Sequence, residues 1–434
     1  MTVGVVGCGM SGIRTAMLLE KKGFDVKLFE ARGRPGGRIH TIDEGNGTLY
    51  EAGGEWIDAD HYRLINLLQE FGMEPEARPI WPGRVVFRGQ TTTEDEIWNE
   101  ALEDDLRVEA AARELCRNLT LPPYSNQDQS DLDRRTLGDF LREHTQSDEG
   151  LWWVTAQYRS DEGDDLDRIS LLGWLCGYLH YLDRDGDVMS AYRVPGGFRA
   201  LLEKMTQTLR TEPVYGAVLQ KVSQDYDGVW LHFERSKERV DHVVLTLPPP
   251  ALERVVFEPA LTVPKRCAVE ACGMSRAVKI SWSFDRAWWL DEGWGGSMLC
   301  DGPLQQTWDG GLGESPILTA YICGDQAAEW SRLGDPVRAG LYELTQICPQ
   351  ASEHFIQGWW HDWVTDRYAL GAFSNLGPGY VLEHMPHIAT KESRIHFAGE
   401  HTASWIGFIE GALESAERVS AEIEAIENAT PPDS

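Results

Sequence analysis

A glycine-rich loop near the N-terminus constrains the fold of this 434-residue chain more than any other feature. The loop, Gly7 to Gly12, has the spacing GxGxxG; a β-branched run from Val3 to Val6 precedes it, and helical periodicity from Ile13 to Lys22 follows. Residues Asp25 to Glu30 then read as a second strand. This order predicts a strand–helix–strand unit, in which the glycines permit a tight turn, close approach to a pyrophosphate, and close packing of helix on strand.

The same unit carries the residues expected to bind a dinucleotide. The N-terminus of a helix offers unpaired amides and a partial positive charge to phosphate oxygens. Glu30 ends the second strand roughly 20 residues after the loop, where an acidic side chain can accept hydrogen bonds from ribose hydroxyls. NAD-binding and FAD-binding proteins share this fingerprint. The predicted nucleotide contacts of this unit are Gly7, Gly9, Met10, Ser11, Gly12, Glu30, Ala31 and Arg32.

Three further motifs favour FAD. They are RGRPGGR at residues 32–38, EAGGEWI at residues 51–57 and FAGE at residues 397–400. In this order, behind the glycine loop, they resemble the flavin-containing amine oxidase family, and the resemblance extends over the whole chain. It implies an FAD cofactor. It also implies that the FAD is bound non-covalently, because Ala372 stands where monoamine oxidases carry the cysteine that attaches the flavin.

The resemblance implies a further set of flavin contacts. A GGR turn would bring amides and a guanidinium to the pyrophosphate, and a second glycine pair would let the backbone lie against the isoalloxazine ring. A glutamate would accept from ribityl hydroxyls, and the first amides of the C-terminal helix would face flavin O2. A valine would meet the adenine, although an ordinary core valine explains it equally well. These contacts are Gly36, Gly37, Arg38, Gly53, Gly54, Glu55, Trp56, Val218, Gly399, Glu400, Gly407, Phe408 and Ile409.

Four residues are candidates for catalysis. Lys279 lies in an apolar run where the family places a lysine that holds a water against flavin N5, and burying a lysine without purpose is unfavourable. A half-exposed strand is the alternative. Phe373 and Phe408 stand where monoamine oxidases carry a pair of tyrosines beside the flavin; phenylalanine keeps a π face but lacks the hydroxyl, and core packing is the alternative for each. Trp363 is the fourth candidate for catalysis.

Two positions bear on the substrate. Amino-acid oxidases place a carboxylate-binding arginine at the position of Trp56, and an indole cannot replace that arginine, which argues against an α-amino acid. Polyamine oxidases often carry an acidic residue at the position of Asp58, where a carboxylate could hold a distal ammonium. An N-cap for a helix from His61 to Phe71 explains the aspartate at least as well.

The pattern along the chain predicts an α/β protein with two interleaved domains. A Rossmann-like, GR2-type FAD-binding domain is expected at residues 1–75, 190–265 and 386–428, and an α+β substrate-binding domain at 76–189 and 266–385. Strand signals are rare between residues 75 and 214, which favours a helical insertion there. Strands are expected at Val214–Val222, Gly228–Glu234 and Val240–Leu247, and tryptophan-rich turns are expected at 288–289, 359–360 and 363.

Composition narrows the partners and the compartment. Forty basic and 69 acidic residues give a net charge of −29, which repels nucleic acid and would attract cationic small molecules. The alternative is that the acidity only keeps the protein soluble. The eight cysteines lack the spacing of a zinc site, so no metal is expected. A strand that begins at Val3 leaves no room for a signal peptide, and no apolar stretch is long enough to anchor the chain in a membrane, so a cytoplasmic monomer or homodimer is expected.

These observations predict an FAD-dependent oxidase that converts a mono-, di- or polyamine to an imine and then an aldehyde, with O2 reduced to H2O2. An L-amino acid oxidase and a desaturase or porphyrinogen-oxidase-type flavoenzyme are the alternatives. The non-enzymatic alternative is a binding protein on the same scaffold that has no flavin.

Overall fold

The computed structural model describes residues 1–182 and 189–429. Its strands are β1 (Thr2–Val6), β2 (Asp25–Phe29), β3 (Thr41–Asp43), β4 (Leu49–Glu51), β5 (Glu76–Ala77), β6 (Arg84–Phe87), β7 (Gln90–Thr93), β8 (Tyr192–Arg193), β9 (Leu219–Gln224), β10 (Val229–Phe233), β11 (Lys237–Val240), β12 (His242–Leu245), β13 (Val256–Glu258), β14 (Gly273–Met274), β15 (Ala277–Phe284), β16 (Met298–Cys300), β17 (Gln306–Asp309), β18 (Ile317–Cys323), β19 (Phe355–Asp362), β20 (Ser374–Asn375) and β21 (Ile395–Phe397).

The α-helices are α1 (Met10–Lys21), α2 (Tyr62–Glu70), α3 (Asn99–Cys116), α4 (Ser130–Arg134), α5 (Leu137–His144), α6 (Asp148–Glu162), α7 (Leu171–Tyr178), α8 (Phe198–Gln207), α9 (Pro249–Leu252), α10 (Val263–Ala271), α11 (Trp288–Asp291), α12 (Gly324–Trp330), α13 (Pro336–Ile347), α14 (Gln350–His354), α15 (Tyr380–Glu383), α16 (Met385–Ile388) and α17 (Ile409–Ala429).

A parallel sheet with strand order β2-β1-β12-β21 forms the nucleotide-binding half. Strand β1 pairs on one side with β2 and on the other with β12, and its residues from Val3 to Val6 are buried, because helices and loops cover both faces of a parallel sheet. Helices α1, α8 and α17 contribute to the core on one face. The sheet takes strands from three separated parts of the chain, which confirms the Rossmann-like fold.

A seven-stranded sheet, β19-β15-β18-β17-β16-β6-β7, forms the second half. Its strand β15 is buried at every residue and lies antiparallel to β18 and β19. The prediction of tryptophan-rich turns is wrong at two of its three places: Trp288 and Trp289 are buried core residues of α11, and residues 359–360 lie within β19. Trp363 lies in a bend that follows β19. Large indoles stabilise this half by filling the space beneath the sheet.

Helices α3 to α7 form a layer that packs against this second sheet, around a core that includes Val108, Phe140 and Leu175. The expected scarcity of strands before residue 214 holds for the helical layer but misses β6 and β7, which precede it and complete the seven-stranded sheet. The expected strand Val240–Leu247 is in fact two strands, β11 and β12, which belong to different sheets. The expected strand Val214–Val222 is replaced by β9, and Val214 forms only an isolated bridge to Phe29.

The predicted domain ranges stay a prediction, and residues 183–188 of the second domain lie outside the described residues. Within the described ranges, no helix combines the length and the apolar character needed to cross a bilayer.

Candidate active site

A cavity of about 830 Å³ extends from the glycine loop to the seven-stranded sheet. At one end it is lined by residues that follow the carboxyl ends of parallel strands, such as Gly7, Glu30, Thr246 and Gly399. This is the edge of an open parallel sheet at which ligands bind. At the other end it is lined by side chains of the second sheet, including Lys279.

Nearly all of the residues predicted from the sequence line this one cavity. Gly12 does not line it. The lining residues among the predicted set are Gly7, Gly9, Met10, Ser11, Glu30, Ala31, Arg32, Gly36, Gly37, Arg38, Gly53, Gly54, Glu55, Trp56, Asp58, Val218, Lys279, Trp363, Phe373, Gly399, Glu400, Gly407, Phe408 and Ile409.

The glycine loop has backbone geometry that only glycine fits. Gly7 adopts a φ of +105°, and a Cβ atom on Gly12 would lie 1.9 Å from the Gly7 carbonyl oxygen. Gly12 therefore lets α1 pack directly on the loop that follows β1. Gly9 differs, because the nearest atom to a Cβ there would be the Gly36 oxygen at 3.8 Å. Its surroundings are open on the cavity side, as a backbone that approaches a phosphate requires.

The second glycine pair divides into two roles. A Cβ on Gly53 would lie 2.1 Å from the Arg38 carbonyl oxygen, so the packing of the protein itself requires this glycine. A Cβ on Gly54 would meet only the Ile409 side chain, at 3.7 Å. Of the two positions predicted to face the flavin ring, Gly54 is therefore the one that leaves space toward the cavity.

Acidic side chains hold the polar groups of the nucleotide end in place. Glu30 accepts hydrogen bonds from the amides of Cys8 and Arg32, each at 2.7 Å. Arg38 pairs with Glu400 at 2.7 Å, and Glu400 also accepts from the Gly407 amide at 2.8 Å. Burial acts to raise the pKa of Glu400, but the Arg38 charge and the Gly407 bond outweigh it and hold that pKa below its usual range.

Lys279 is buried in the middle of β15, so a half-exposed strand does not explain it. Its Nζ donates to the Gly53 carbonyl at 2.8 Å and to Glu55 Oε2 at 3.0 Å. Glu55 lies 2.8 Å from the Arg193 guanidinium through its other oxygen, and the Trp308 indole donates to it at 3.1 Å. The sequence analysis did not select Arg193 or Trp308, because neither belongs to a local motif.

The three aromatic candidates lie at the same cavity. Phe373 packs between two glycines: a Cβ on Gly163 would lie 2.5 Å from its ring, and a Cβ on Gly407 would lie 3.1 Å from it. The Phe408 ring packs edge-on against His61, with 5.1 Å between ring centroids. The Trp363 indole donates to the Ala52 carbonyl at 2.8 Å, which fixes its orientation.

Asp58 does not cap a helix. Helix α2 begins at Tyr62 after His61, without a side-chain cap, so the N-cap explanation is wrong. The Asp58 carboxylate is buried and accepts hydrogen bonds from the Tyr181 hydroxyl at 3.1 Å and from the Ser190 amide at 2.7 Å. These bonds hold the carboxylate at the cavity wall.

A second carboxylate, Asp161, lines the cavity at the end of α6. Burial, followed by the charge of Asp58, raises its pKa to about 7. Protein atoms surround Asp161, and the part of its surface that remains exposed faces the cavity. Sequence analysis did not select Asp161, because it belongs to an acidic run, Asp161 to Asp165, of ordinary appearance.

Comparison with known proteins identifies the class. The family model described as flavin containing amine oxidoreductase matches residues 10–424. The chain belongs to this family, and is an FAD-dependent oxidoreductase that acts on amines.

Three proteins similar to this chain have names that give different substrates. The L-amino acid dehydrogenase of Synechocystis sp. (strain ATCC 27184 / PCC 6803 / Kazusa) is 23% identical, with 96% of this chain and 94% of the relative covered. The cyclohexylamine oxidase structure from Brevibacterium oxydans IH-35A has a TM-score of 0.89 and 24% identity, covering 98% of this chain and 99% of that one. Wild-type putrescine oxidase bound to putrescine has a TM-score of 0.87 and 22% identity, covering 98% and 99%.

The cavity fits FAD on its own geometry. The N-termini of α1 and α17 both reach it, through Met10 and Ile409, and present amides that no helical carbonyl can pair. Gly9 and Gly54 leave room where a larger side chain would project. Glu30 stands at the end of β2 with its carboxylate oriented by two amides. These are the features that bind a dinucleotide at this edge of a sheet.

Proposed function

We propose that this protein is an FAD-dependent amine oxidase that uses O2 as its acceptor and releases H2O2. The observation that supports this proposal best is the burial of Lys279 in the wall of the cavity that also contains the nucleotide-binding residues. FAD, when bound, supplies the hydride acceptor. The imine product is then hydrolysed to an aldehyde. Cytoplasmic location and a monomeric or homodimeric state stay predictions from the sequence.

Each nearby side chain has a defined part in this proposal. Lys279 holds a water molecule at the reacting end, and Phe373, Phe408 and Trp363 form apolar walls that exclude bulk water and guide the amine. The substrate reacts as the neutral amine, because an ammonium has no lone pair to assist hydride loss. Ala372 lines the cavity without a nucleophilic side chain, which supports non-covalent binding of FAD. The predicted flavin contacts keep their roles within this proposal.

The acidic pair favours a substrate with a second positive charge. Asp58 and Asp161 line the cavity, and the charge of Asp58 contributes to the raised pKa of Asp161. An ammonium distant from the reacting nitrogen would be held by these carboxylates through a charge-assisted hydrogen bond. A diamine or polyamine is therefore the substrate class that we propose.

Oxidation of an α-amino acid is the second candidate. Arg78 lines the cavity, and its guanidinium lies over the Trp56 ring at 5.1 Å. An arginine at this place could bind a substrate carboxylate even though Trp56 itself cannot. The similarity to an L-amino acid dehydrogenase supports testing this candidate.

The test is anaerobic reduction of the purified protein, followed through its visible spectrum. A matched panel contains 1,4-diaminobutane, butylamine, cyclohexylamine, L-ornithine and L-leucine. Faster bleaching with the diamine than with butylamine, followed by recovery of the colour in air with release of peroxide, supports the proposal. Bleaching by the two amino acids alone supports the second candidate. A yellow protein that no amine reduces would refute both and favour a desaturase-type reaction.

A further inference from the structure

A buried network of charges surrounds Lys279. One Glu55 oxygen lies 3.0 Å from the Lys279 ammonium, and the other lies 2.8 Å from the Arg193 guanidinium. The Glu55 side chain is only 1% exposed. The Trp308 indole donates to the same carboxylate. A single anion thus stands between two cations inside the protein, where removing one partner of a charge pair is strongly unfavourable.

The other titratable groups that face Lys279 do not supply an anion in contact with it. Glu51 meets the ammonium through its backbone carbonyl, at 3.4 Å, and burial raises the pKa of its carboxyl to about 7. His361 lies opposite Lys279 on β19, and burial lowers its pKa to about 3, so it is neutral. Tyr321 lies opposite on β18, and burial raises its pKa, so it is also neutral. Among the described residues, Glu55 is the carboxylate that contacts Lys279.

We propose that Glu55 is a positioning residue that keeps Lys279 charged and fixes its ammonium against the Gly53 carbonyl. This inference rests on the proposed function of the same site. Without the Glu55 carboxylate, the ammonium would lie buried near Arg193 with no counter-ion, and it would give up its proton more readily. Chemistry at this end of the cavity would then depend on the protonation state of Lys279.

The test is a redox titration of the bound FAD across roughly pH 6 to 10, a range in which a destabilised buried ammonium can lose its proton. Glu55→Gln keeps a side chain that accepts from Lys279 and Trp308 but removes the charge. Glu51→Gln is the matched control, because its buried carboxylate accepts from the Phe198 amide and the Thr41 hydroxyl instead. Lys279→Met is made alone and together with Glu55→Gln.

Because the Glu51 carboxyl itself titrates near pH 7, Glu51→Gln identifies the part of the pH dependence that belongs to it. We expect Glu55→Gln to add a further inflection to the pH dependence of the FAD midpoint potential that the parent protein and Glu51→Gln both lack. The inflection should disappear in the double variant with Lys279→Met. An inflection that persists without the lysine, or no change in Glu55→Gln, would overturn the proposal. Glu55→Asp keeps the charge and should retain the parent profile, so an added inflection in that variant also counts against it, even if Glu55→Gln does not fold.

The two proposals fail in different ways. The redox titration uses reductants other than amines, so it reports on Glu55 even if no amine reduces the flavin. Lack of reduction by amines would refute the proposed function alone.

Discussion

Lys265 in α10 carries a buried charge that the fold tolerates rather than needs. The side chain is 1% exposed, its Nζ donates to the Ile388 carbonyl at 2.7 Å, and it lies over the Phe397 ring at 3.9 Å. Burial lowers its pKa from 10.5 to about 7; the charges of Glu392 and Glu422 oppose this effect, and the charge of Arg418 adds to it. Replacing it with methionine, which has a similar length and no charge, should stabilise the protein at neutral and lower pH.

The size of the effect follows from that pKa. Losing a proton near pH 7 instead of 10.5 corresponds to roughly 5 kcal/mol of unfavourable free energy for the charged lysine, at about 1.36 kcal/mol per pH unit. The methionine leaves the Ile388 carbonyl without its donor, which costs about 1–3 kcal/mol. The net gain in the free energy of unfolding for Lys265→Met at pH 6 is therefore about 2–4 kcal/mol.

The gain should depend on pH in a defined direction. Between about pH 7 and 10.5 the unfolded lysine is protonated and the folded one is not, so the stability of the parent protein rises with pH by at most about 1.4 kcal/mol per unit. The advantage of Lys265→Met should therefore shrink across this window and approach zero near about pH 9. Urea unfolding at fixed excess FAD, followed by tryptophan fluorescence, measures it.

Lys204→Met is the matched control, since Lys204 also donates to a backbone carbonyl, that of Phe71 at 3.0 Å, but lies on the surface. Its effect should be small and independent of pH. A stability difference for Lys265→Met that stays constant from pH 6 to pH 9, or a loss of stability at pH 6, would refute the reasoning.

Three further substitutions test the site. Gly12→Ala should yield a colourless protein, because the added Cβ would lie 1.9 Å from the Gly7 carbonyl oxygen. Gly33→Ala is the control and should keep the flavin absorbance, because its Cβ would have no atom within 4 Å. A yellow Gly12→Ala protein would contradict this prediction. Gly163→Ala should retain FAD but slow anaerobic reduction of the flavin by the amine, since its Cβ displaces the Phe373 ring and its φ of +63° disfavours alanine. Gly177→Ala is the control, because its Cβ would have no atom within 4 Å. Equal reduction rates in Gly163→Ala and the parent protein would argue against a cavity wall at Phe373. Asp161→Asn should raise KM for a diamine about tenfold at pH 8 relative to the matching monoamine, an interaction of about 1.4 kcal/mol. Because the Asp161 pKa is about 7, the same diamine preference of the parent should strengthen as pH rises through 7 and the carboxylate ionises; a preference that does not change with pH would count against the anchor.

The nucleotide-binding half could be predicted from local sequence because its signals are local. The glycine loop, the strand before it and the helix after it lie within the first 30 residues. The ends of β1, α1 and β2 occur there within three residues of the expected positions, and the largest difference is the start of α1 at Met10 instead of Ile13. The split of Val240–Leu247 into β11 and β12 was not predictable in this way. A short run of strand-forming residues carries no record of a change of sheet, which depends on where β1 and β10 lie in space.

The residues of the candidate site were likewise predictable only where they belong to local motifs. Residues in contiguous motifs, such as those around Gly36 and Gly53, were identified from sequence, and the structure brings them to one cavity. Arg193, Trp308 and Asp161 were not, because they meet the site only through tertiary contacts between β8, β17 and α6. The apolar run around Lys279 indicated a strand but left a half-exposed strand as the alternative, and the structure shows that both faces of β15 are buried.

The distribution of charge within the cavity explains why a cationic substrate suits this protein. The cations near the nucleotide end already have partners: Arg32 forms a two-point pair with Asp366, and Arg38 pairs with Glu400. A pyrophosphate there would be neutralised in part by the Arg38 guanidinium, whose charge Glu400 already offsets, and otherwise by backbone amides and helix dipoles, which need no counter-ion. At the other end, no lysine or arginine of the described chain pairs with Asp58 or Asp161. The Asp58 carboxylate accepts from a hydroxyl and an amide, and both donors are neutral. The nearby His61 accepts from the Asp58 amide, and burial lowers the pKa of its imidazole, so it brings no positive charge to cancel that of the carboxylate. The substrate end therefore retains a negative potential that a second ammonium neutralises, which a neutral tail of the same length cannot do.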